Sequence, residues 1–333
     1  MPPLVLTMGE PAGIGGELAF AAWSRRAAGV PCFALLDDPA RLYALARLLG
    51  QDIPLRPIVT MAEAPAVWNT ALPVLPIALA GPVAMGRPDA INAGAVIKAI
   101  ESAVQLVSAG EASAIVTNPI QKQVLIAAGF HHPGHTEFLA ELAGPGTVPV
   151  MMLTCPGLRV VPITIHQSLK SAIQDLSIDK IMTAARITAA ALTRDFGIKR
   201  PTLAISGLNP HAGEGGAFGG EEIEIIAPAI EQLRREGLAI EGPLPADTMF
   251  HVRARQRYDA ALCMYHDQAL IPIKTIDFER GVNVTLGLPF VRASPDHGTA
   301  LNIAGTGKAS PESLIAALVV ADQMARMRAA APR

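Results

Sequence analysis

Short apolar runs alternate with longer amphipathic ones along this chain, the pattern of an α/β protein with a largely parallel sheet. Strands are predicted at 4–7, 32–36, 113–116, 148–153, 159–165, 202–205 and 260–264. Helices are predicted at 16–27, 39–49, 89–108, 120–128, 137–142, 179–195, 221–235 and 311–327. The helix at 89–108 carries Ile97, Ile100, Val104 and Val107, steps of three and four residues that share one face. Asp38 stands where a helix N-cap belongs, and Gly129, Gly197 and Gly237 stand where helices end. The richest apolar stretch, 148–165, contains Pro149, Pro156, Pro162 and Arg159, and reads as two buried strands joined by a turn at Pro156-Gly157.

Composition narrows the class. The 333 residues carry 27 Lys+Arg against 29 Asp+Glu, a formal charge of −2. Half are hydrophobic and 17% are charged, where about 25% is usual, so a large core or a buried oligomer interface is expected and disorder is excluded. The length suits about two domains. Near-zero charge, no basic run and 4% aromatic residues argue against a nucleic-acid partner. Every run of about 18 apolar residues contains a charge or a helix breaker, so no membrane span is expected. The N-terminus lacks the basic segment and apolar length of a signal peptide. Cys32, Cys155 and Cys263 are odd in number, far apart and in no metal or redox motif, which reads as free buried thiols in a reducing cytoplasm. There is no repeat, charge block or linker, and the tail 329–333 is expected to fray.

Several segments bear chemistry. Gly9-Glu10-Pro11-Ala12-Gly13-Ile14-Gly15-Gly16 joins the first strand to the first helix, with Asp37 closing the second strand. Its glycines are not spaced as G-x-G-x-x-G and Pro11 interrupts them, so a tight turn is expected rather than a pyrophosphate grip. Gly305-Thr306-Gly307-Lys308 fails as a P-loop, because Ala309 stands in the Ser/Thr position. His166, His211 and His266 each follow a predicted strand, at the sheet edge where open α/β sheets bind ligands. Singly, each reads as a loop histidine; as a trio they read equally as an open metal site. Lys274, Asn283 and Arg292 sit among apolar residues and suit a phosphate or carboxylate, or are snorkelling side chains. In Pro133-Gly134-His135-Thr136-Glu137-Phe138, Thr136 is expected to cap a helix, pointing free N–H groups at an anion or simply closing the helix, with His135 as a ligand contact or acid/base. His131, His132 and His251 read as surface residues. Asp296 and His297 line a cleft or cap the next helix.

Taken in order, the segments Gly9 to Gly15, Gly134 to Phe138, Gly207 to Gly216, Gly242-Pro243-Leu244-Pro245-Ala246-Asp247-Thr248, Tyr265-His266-Asp267-Gln268 and Gly281 to His297 resemble the PdxA family of 4-hydroxythreonine-4-phosphate dehydrogenases. Thr117-Asn118-Pro119-Ile120-Gln121-Lys122 resembles the family's loop with several changes. The resemblance implies two α/β/α domains akin to isocitrate and isopropylmalate dehydrogenases, not a Rossmann fold. One would span 1–130 plus 300–333; the other, 131–299, would hold most metal and substrate residues and the dimer contacts. It implies a cytoplasmic homodimer whose site is completed across the interface, and NAD or NADP as oxidant at residues the sequence does not locate. His166, His211 and His266 would hold a divalent metal (zinc, magnesium or cobalt), and His135, Thr136, Lys274, Asn283 and Arg292 would bind substrate. His135, Asp247 and Asp267 are the candidates for acid/base work. The implied reaction oxidises 4-phosphohydroxy-L-threonine to a 3-oxo acid that decarboxylates, in vitamin B6 biosynthesis. A 4-phosphothreonate or erythronate dehydrogenase and a non-redox sugar-phosphate-binding protein are the alternatives.

Overall fold

The computed structural model describes residues 1–132 and 134–330. Pro133, in the His135 segment, and residues 331–333 of the expected frayed tail lie outside the described residues. The chain divides into two compact units, Met1–Pro149 with Leu288–Arg326 and Val150–Gly287 with Met327–Arg333.

Among the described residues the strands are β1 (Leu4–Thr7), β2 (Phe33–Asp37), β3 (Leu55–Pro57), β4 (Leu72–Pro76), β5 (Ile115–Thr117), β6 (Val150–Cys155), β7 (Leu158–Pro162), β8 (Thr202–Ser206), β9 (Ala239–Leu244), β10 (Ala260–Cys263), β11 (Val282–Leu286) and β12 (Arg292–Pro295). In the first unit they lie in the order β3-β4-β2-β1-β5-β12, with parallel pairings. β1 and β2 are buried throughout, as strands covered on both faces must be. Helix Ala93–Ser108 lays Val96, Ala99, Ile100, Ala103 and Val104 into this core. By length and composition the segment Ala90–Ser108 could cross a membrane, with a mean hydropathy of 1.3, but it carries Lys98 and Glu101 and packs on β1.

The second unit has the order β11-β6-β7-β10-β8-β9. The apolar stretch around Pro156 folds as expected: β6 and β7 form an antiparallel hairpin that turns at Gly157, φ 84°. β11 is antiparallel to β6, while β7, β10, β8 and β9 run parallel. Helix Ile178–Phe196 ends on left-handed Gly197 as predicted, and Asp38 caps helix Pro39–Leu48 by accepting from the Ala40 and Arg41 N–H groups. Cys32, Cys155 and Cys263 are free thiols; Cys155 and Cys263 are buried, Cys32 half-buried.

The α/β class holds, and neither strand order is the 3-2-1-4-5-6 of a Rossmann sheet. The unit boundaries fall at 149/150 and 287/288 rather than 130/131 and 299/300, and from Met327 the chain belongs to the second unit, not the first. Packing explains the difference. Phe138, Leu139 and Ala140 of helix His135–Leu142 enter the first unit's core, and β12 pairs with β5 there. His135, Thr136 and Arg292 therefore belong to the first unit. The helix also begins earlier than expected, with Gly134 as its N-cap, so Thr136 lies inside the first turn and is not the cap.

Candidate active site

In the second unit, β7, β10 and β8 are consecutive parallel neighbours. His166 follows the end of β7, His266 the end of β10 and His211 the end of β8, so three adjacent strands deliver all three imidazoles to one sheet edge. The strand ends are tied together. Thr164 Oγ1 donates to the Met264 carbonyl at 2.8 Å. Buried Gln268 accepts from Ser206 Oγ at 2.8 Å and from the Met264 N–H at 2.7 Å, and donates to the Gly207 carbonyl at 2.8 Å. One amide thus clamps β8 to β10.

His166 and His266 share a cavity of about 440 Å³ lined also by Thr164, Ser168, Tyr265 and Asp267. Their ring centres are 5.8 Å apart. A metal–imidazole bond of about 2.1 Å plus about 1.1 Å to the ring centre puts two imidazoles on one ion about 5.2 Å apart at the tetrahedral angle and at most about 6.4 Å apart when opposed. The pair satisfies this limit. His266 Nδ1 lies 2.7 Å from Asp267 Oδ1, an arrangement that leaves Nε2 to a metal. The donor chemistry and the pair therefore fit a divalent cation. Among the described residues, however, no three His, Cys, Asp or Glu side chains form a metal-sized group, and His211 is not gathered with the other two. Its ring lies 6.0 Å from that of Phe218.

His211 opens a left-handed turn. His211, Ala212, Gly213, Glu214 and Gly215 have φ of 54°, 52°, 78°, 40° and 66°. Left-handed helical conformation costs a non-glycine residue about 1–2 kcal/mol, so three such residues hold strain of about 3–6 kcal/mol. His166 also has positive φ, 32°. Strain of this kind persists where the surrounding structure over-determines it, and it clusters at functional sites.

In the first unit, the guanidinium of Arg292, 4% exposed, donates from Nη2 to Thr117 Oγ1 at 2.7 Å. Burial pushes its pKa down to about 10, against the pull of Glu137. His135 reaches the surface in part, but its Nε2 is buried with no hydrogen-bond partner. Burial, and then the positive charges of Arg292 and Lys122, hold this imidazole well below its ordinary range, so it is neutral at pH 7. Lys122 Cε and Nζ come within 3.3 and 3.4 Å of where a Gly134 Cβ would stand, so the missing side chain makes room for the ammonium. Two cations face one carboxylate around an unsatisfied imidazole nitrogen, an arrangement that calls for an anion.

The Gly9–Gly16 loop is a packed turn, not a cradle. Gly9 has φ 68°, and a Cβ there would meet the Pro119 carbonyl oxygen at 2.6 Å; one at Gly15 would meet the Met8 oxygen at 2.7 Å. That space is filled by protein, so this loop does not fit a dinucleotide pyrophosphate. Lys274 and Asn283 belong to the second unit. Lys274 is in helix His266–Ile276, its ammonium 5.6 Å from the Phe278 ring centre, and Asn283 Oδ1 is buried without a hydrogen-bond partner. Asp247 is exposed on a single turn after β9. His132 lies in the loop before helix His135–Leu142 but is half-buried, its ring packed 5.1 Å from both Phe130 and Phe138. His251 is exposed and caps helix Val252–Arg255. His297 has a buried Nε2 without a hydrogen-bond partner, and burial lowers its pKa.

Lys122, Gln268 and Glu222 were not singled out by sequence reasoning. Lys122 and Gln268 stand in motif segments without a signal of their own, and Glu222 sits in amphipathic helical pattern.

A relative from Bradyrhizobium diazoefficiens named 4-hydroxythreonine-4-phosphate dehydrogenase is 55% identical over 335 residues, 97% of each chain. The crystal structure of 4-hydroxythreonine-4-phosphate dehydrogenase from Klebsiella pneumoniae superposes with a TM-score of 0.88 at 36% identity, over 98% of this chain and 100% of that one. A terephthalate 1,2-cis-dihydrodiol dehydrogenase from Burkholderia xenovorans follows with a TM-score of 0.63 at 28% identity, over 94% and 95%. The model of the family described as pyridoxal phosphate biosynthetic protein PdxA matches residues 32–321, and the chain belongs to that family.

Proposed function

We propose that this chain is a metal-dependent dehydrogenase that oxidises 4-phosphohydroxy-L-threonine with NAD or NADP. The 2-amino-3-oxo acid formed loses CO2 to give 3-amino-2-oxopropyl phosphate, in pyridoxal 5′-phosphate biosynthesis. The observation that carries this reading is the pair of cationic side chains beside neutral His135, in a chain 55% identical to a relative of that name. Arg292 and Lys122 hold the anionic end of the substrate, and Thr117 keeps the guanidinium aimed. His135 Nε2, buried and unpaired, takes a hydrogen bond with the substrate rather than a full proton, because its pKa is held down. The family resemblance adds Thr136, in the first turn of its helix, Lys274 and Asn283 as residues that would bind substrate. His166, His211 and His266 would hold a divalent metal (zinc, magnesium or cobalt), which when bound polarises the reacting alcohol and carbonyl oxygens. Asp267 orients His266, which makes it a positioning group before an acid or base. The oxidant is inferred from the relatives' names. A cytoplasmic homodimer is part of the reading; the exposed apolar side chains Ile271 and Phe278 beside Lys274 are a surface a second copy would cover.

The test follows reduced nicotinamide by absorbance, with 4-phosphohydroxy-L-threonine, either cofactor and each of the three metals. Reduction is expected with one cofactor at least. Its absence with both overturns the proposal, and preferential turnover of 4-phosphothreonate moves the substrate assignment. Lys122→Gln should raise KM about tenfold, the low end of what a charged hydrogen bond contributes, because the residue is largely exposed. Lys122→Arg should recover part of the loss. An unchanged KM in Lys122→Gln removes this residue from the site.

A further inference from the structure

The left-handed turn that presents His211 is folded around a single buried carboxylate. Glu222, 4% exposed, accepts from the Leu208 and Asn209 N–H groups through Oε1, both at 2.7 Å, and from Asn209 Nδ2 through Oε2 at 2.9 Å. Asn209 Nδ2 also donates to Glu221 Oε2 at 2.7 Å. The turn lies directly on this group. A Cβ at Gly213 would stand 2.6 Å from Glu222 Oε2, and one at Gly207 would stand 2.7 Å from Ala212 Cα and 3.1 Å from Glu222 Oε1. Both positions must therefore be glycine for the turn to close on the carboxylate. Burial alone would push the Glu222 pKa up, but the hydrogen bonds from Asn209 and Leu208 bring it below its ordinary range, so it is ionised at neutral pH. Glu222 also opens a wide π turn, Glu222–Ile226, a geometry that recurs at functional sites. A strained backbone held by a fully engaged charge presents its side chain in one place. A relaxed loop of Gly-rich sequence would not.

The geometry points to Glu222 as the positioning residue for His211: it fixes the left-handed turn from which the imidazole reaches its ligand, without touching that ligand. This rests on the reading of His211 as a metal ligand. The consequence is specific. Removing the charge should loosen the turn locally and weaken metal binding, while saturating metal should bring turnover back, since every ligand is still present.

The test compares wild type, Glu222→Gln and His211→Ala, each stripped of metal and titrated with Co2+ or Zn2+ against a chromophoric chelator. Wild type is expected to bind. Glu222→Gln should bind 10- to 100-fold more weakly, the range for outer partners of metal ligands. Its turnover should recover at high metal, and the melting temperature of the metal-free protein should stay close to wild type. His211→Ala should not recover at any metal concentration tested. Should Glu222→Gln fail to fold, Asn209→Ala keeps the carboxylate and its two backbone donors, removes the amide bonds to Glu222 and Glu221, and should weaken metal binding several-fold. Wild-type protein that binds no divalent metal overturns both the metal reading and this inference. Wild-type affinity in Glu222→Gln, or in Asn209→Ala where that variant replaces it, with His211→Ala impaired, overturns this inference alone.

Discussion

Replacing His166 or His266 by alanine should empty the protein of divalent metal and lower turnover by more than a hundredfold. The two rings are the pair that the structure gathers into one cavity, 5.8 Å apart, within the span two imidazoles can share on one ion. Loss of an outer partner costs about 10–100-fold in affinity or activity, and loss of a ligand removes a bond directly, so the larger effect belongs to the histidines. Asp267→Asn provides the internal comparison. It keeps the shape beside His266 Nδ1 but removes the charge that accepts from it, and should fall within the 10–100-fold range. His166 needs one further control, because its φ is 32° and alanine adopts that conformation poorly. His166→Asn tolerates the backbone better while being a poor ligand, so it should match His166→Ala in metal content and exceed it in thermal stability. The measurements are elemental analysis of the purified proteins and turnover at saturating substrate. Either alanine variant with wild-type metal content and turnover would remove that histidine from the ligand set.

What was legible in the sequence follows from which interactions are local. β1, β2, β8 and β10 are unbroken apolar runs ended by turns, and the pattern places them to within a residue or two. β3, β4, β9, β11 and β12 escaped it. β3 is only Leu55-Arg56-Pro57, β9 contains Gly242 and Pro243, and β12 opens on a charged residue, so none offers a clean apolar run. β12 is a strand because Arg292 and Ala293 pair with Ile115 and Val116, a long-range fact no window contains. The histidine edge was legible for the opposite reason. A strand followed within about five residues by His is a local signal, and parallel order then brings three such signals to one edge. Helix His266–Ile276 went unseen because Pro272 lies inside it. Gln268 and Glu222 work on backbone groups of other segments, and Lys122 works through the space left at Gly134. In sequence Lys122 and Glu222 are ordinary polar residues of a helical stretch, and Gln268 lies where Pro272 hides the helix.

The same long-range logic makes Arg292 the most informative residue of the first unit. Its guanidinium is 4% exposed, is held by Thr117 Oγ1, and has Glu137 as a nearby opposite charge. Burial has lowered its pKa to about 10, so the fold spends stability to keep a charge there, and a bound anion restores part of that loss. Arg292→Ala should lower kcat/KM for 4-phosphohydroxy-L-threonine by about 10- to 150-fold, the equivalent of one charged hydrogen bond of about 1.5–3 kcal/mol. The dephosphorylated analogue should lose much less. Arg292→Lys should recover only part, because the bidentate fork is gone. The pH dependence has a definite sign. The guanidinium is charged below its pKa, so its contribution to substrate binding is full at neutral pH. Without an anion it is lost as pH rises through about 10; a bound phosphate raises that pKa and moves the loss upward. The experiment is a double comparison, two enzymes against two substrates, with KM followed from pH 7 upward. Equal losses on both substrates would assign Arg292 to the substrate's carboxylate or to the fold, and the phosphate would then have to be held by other groups.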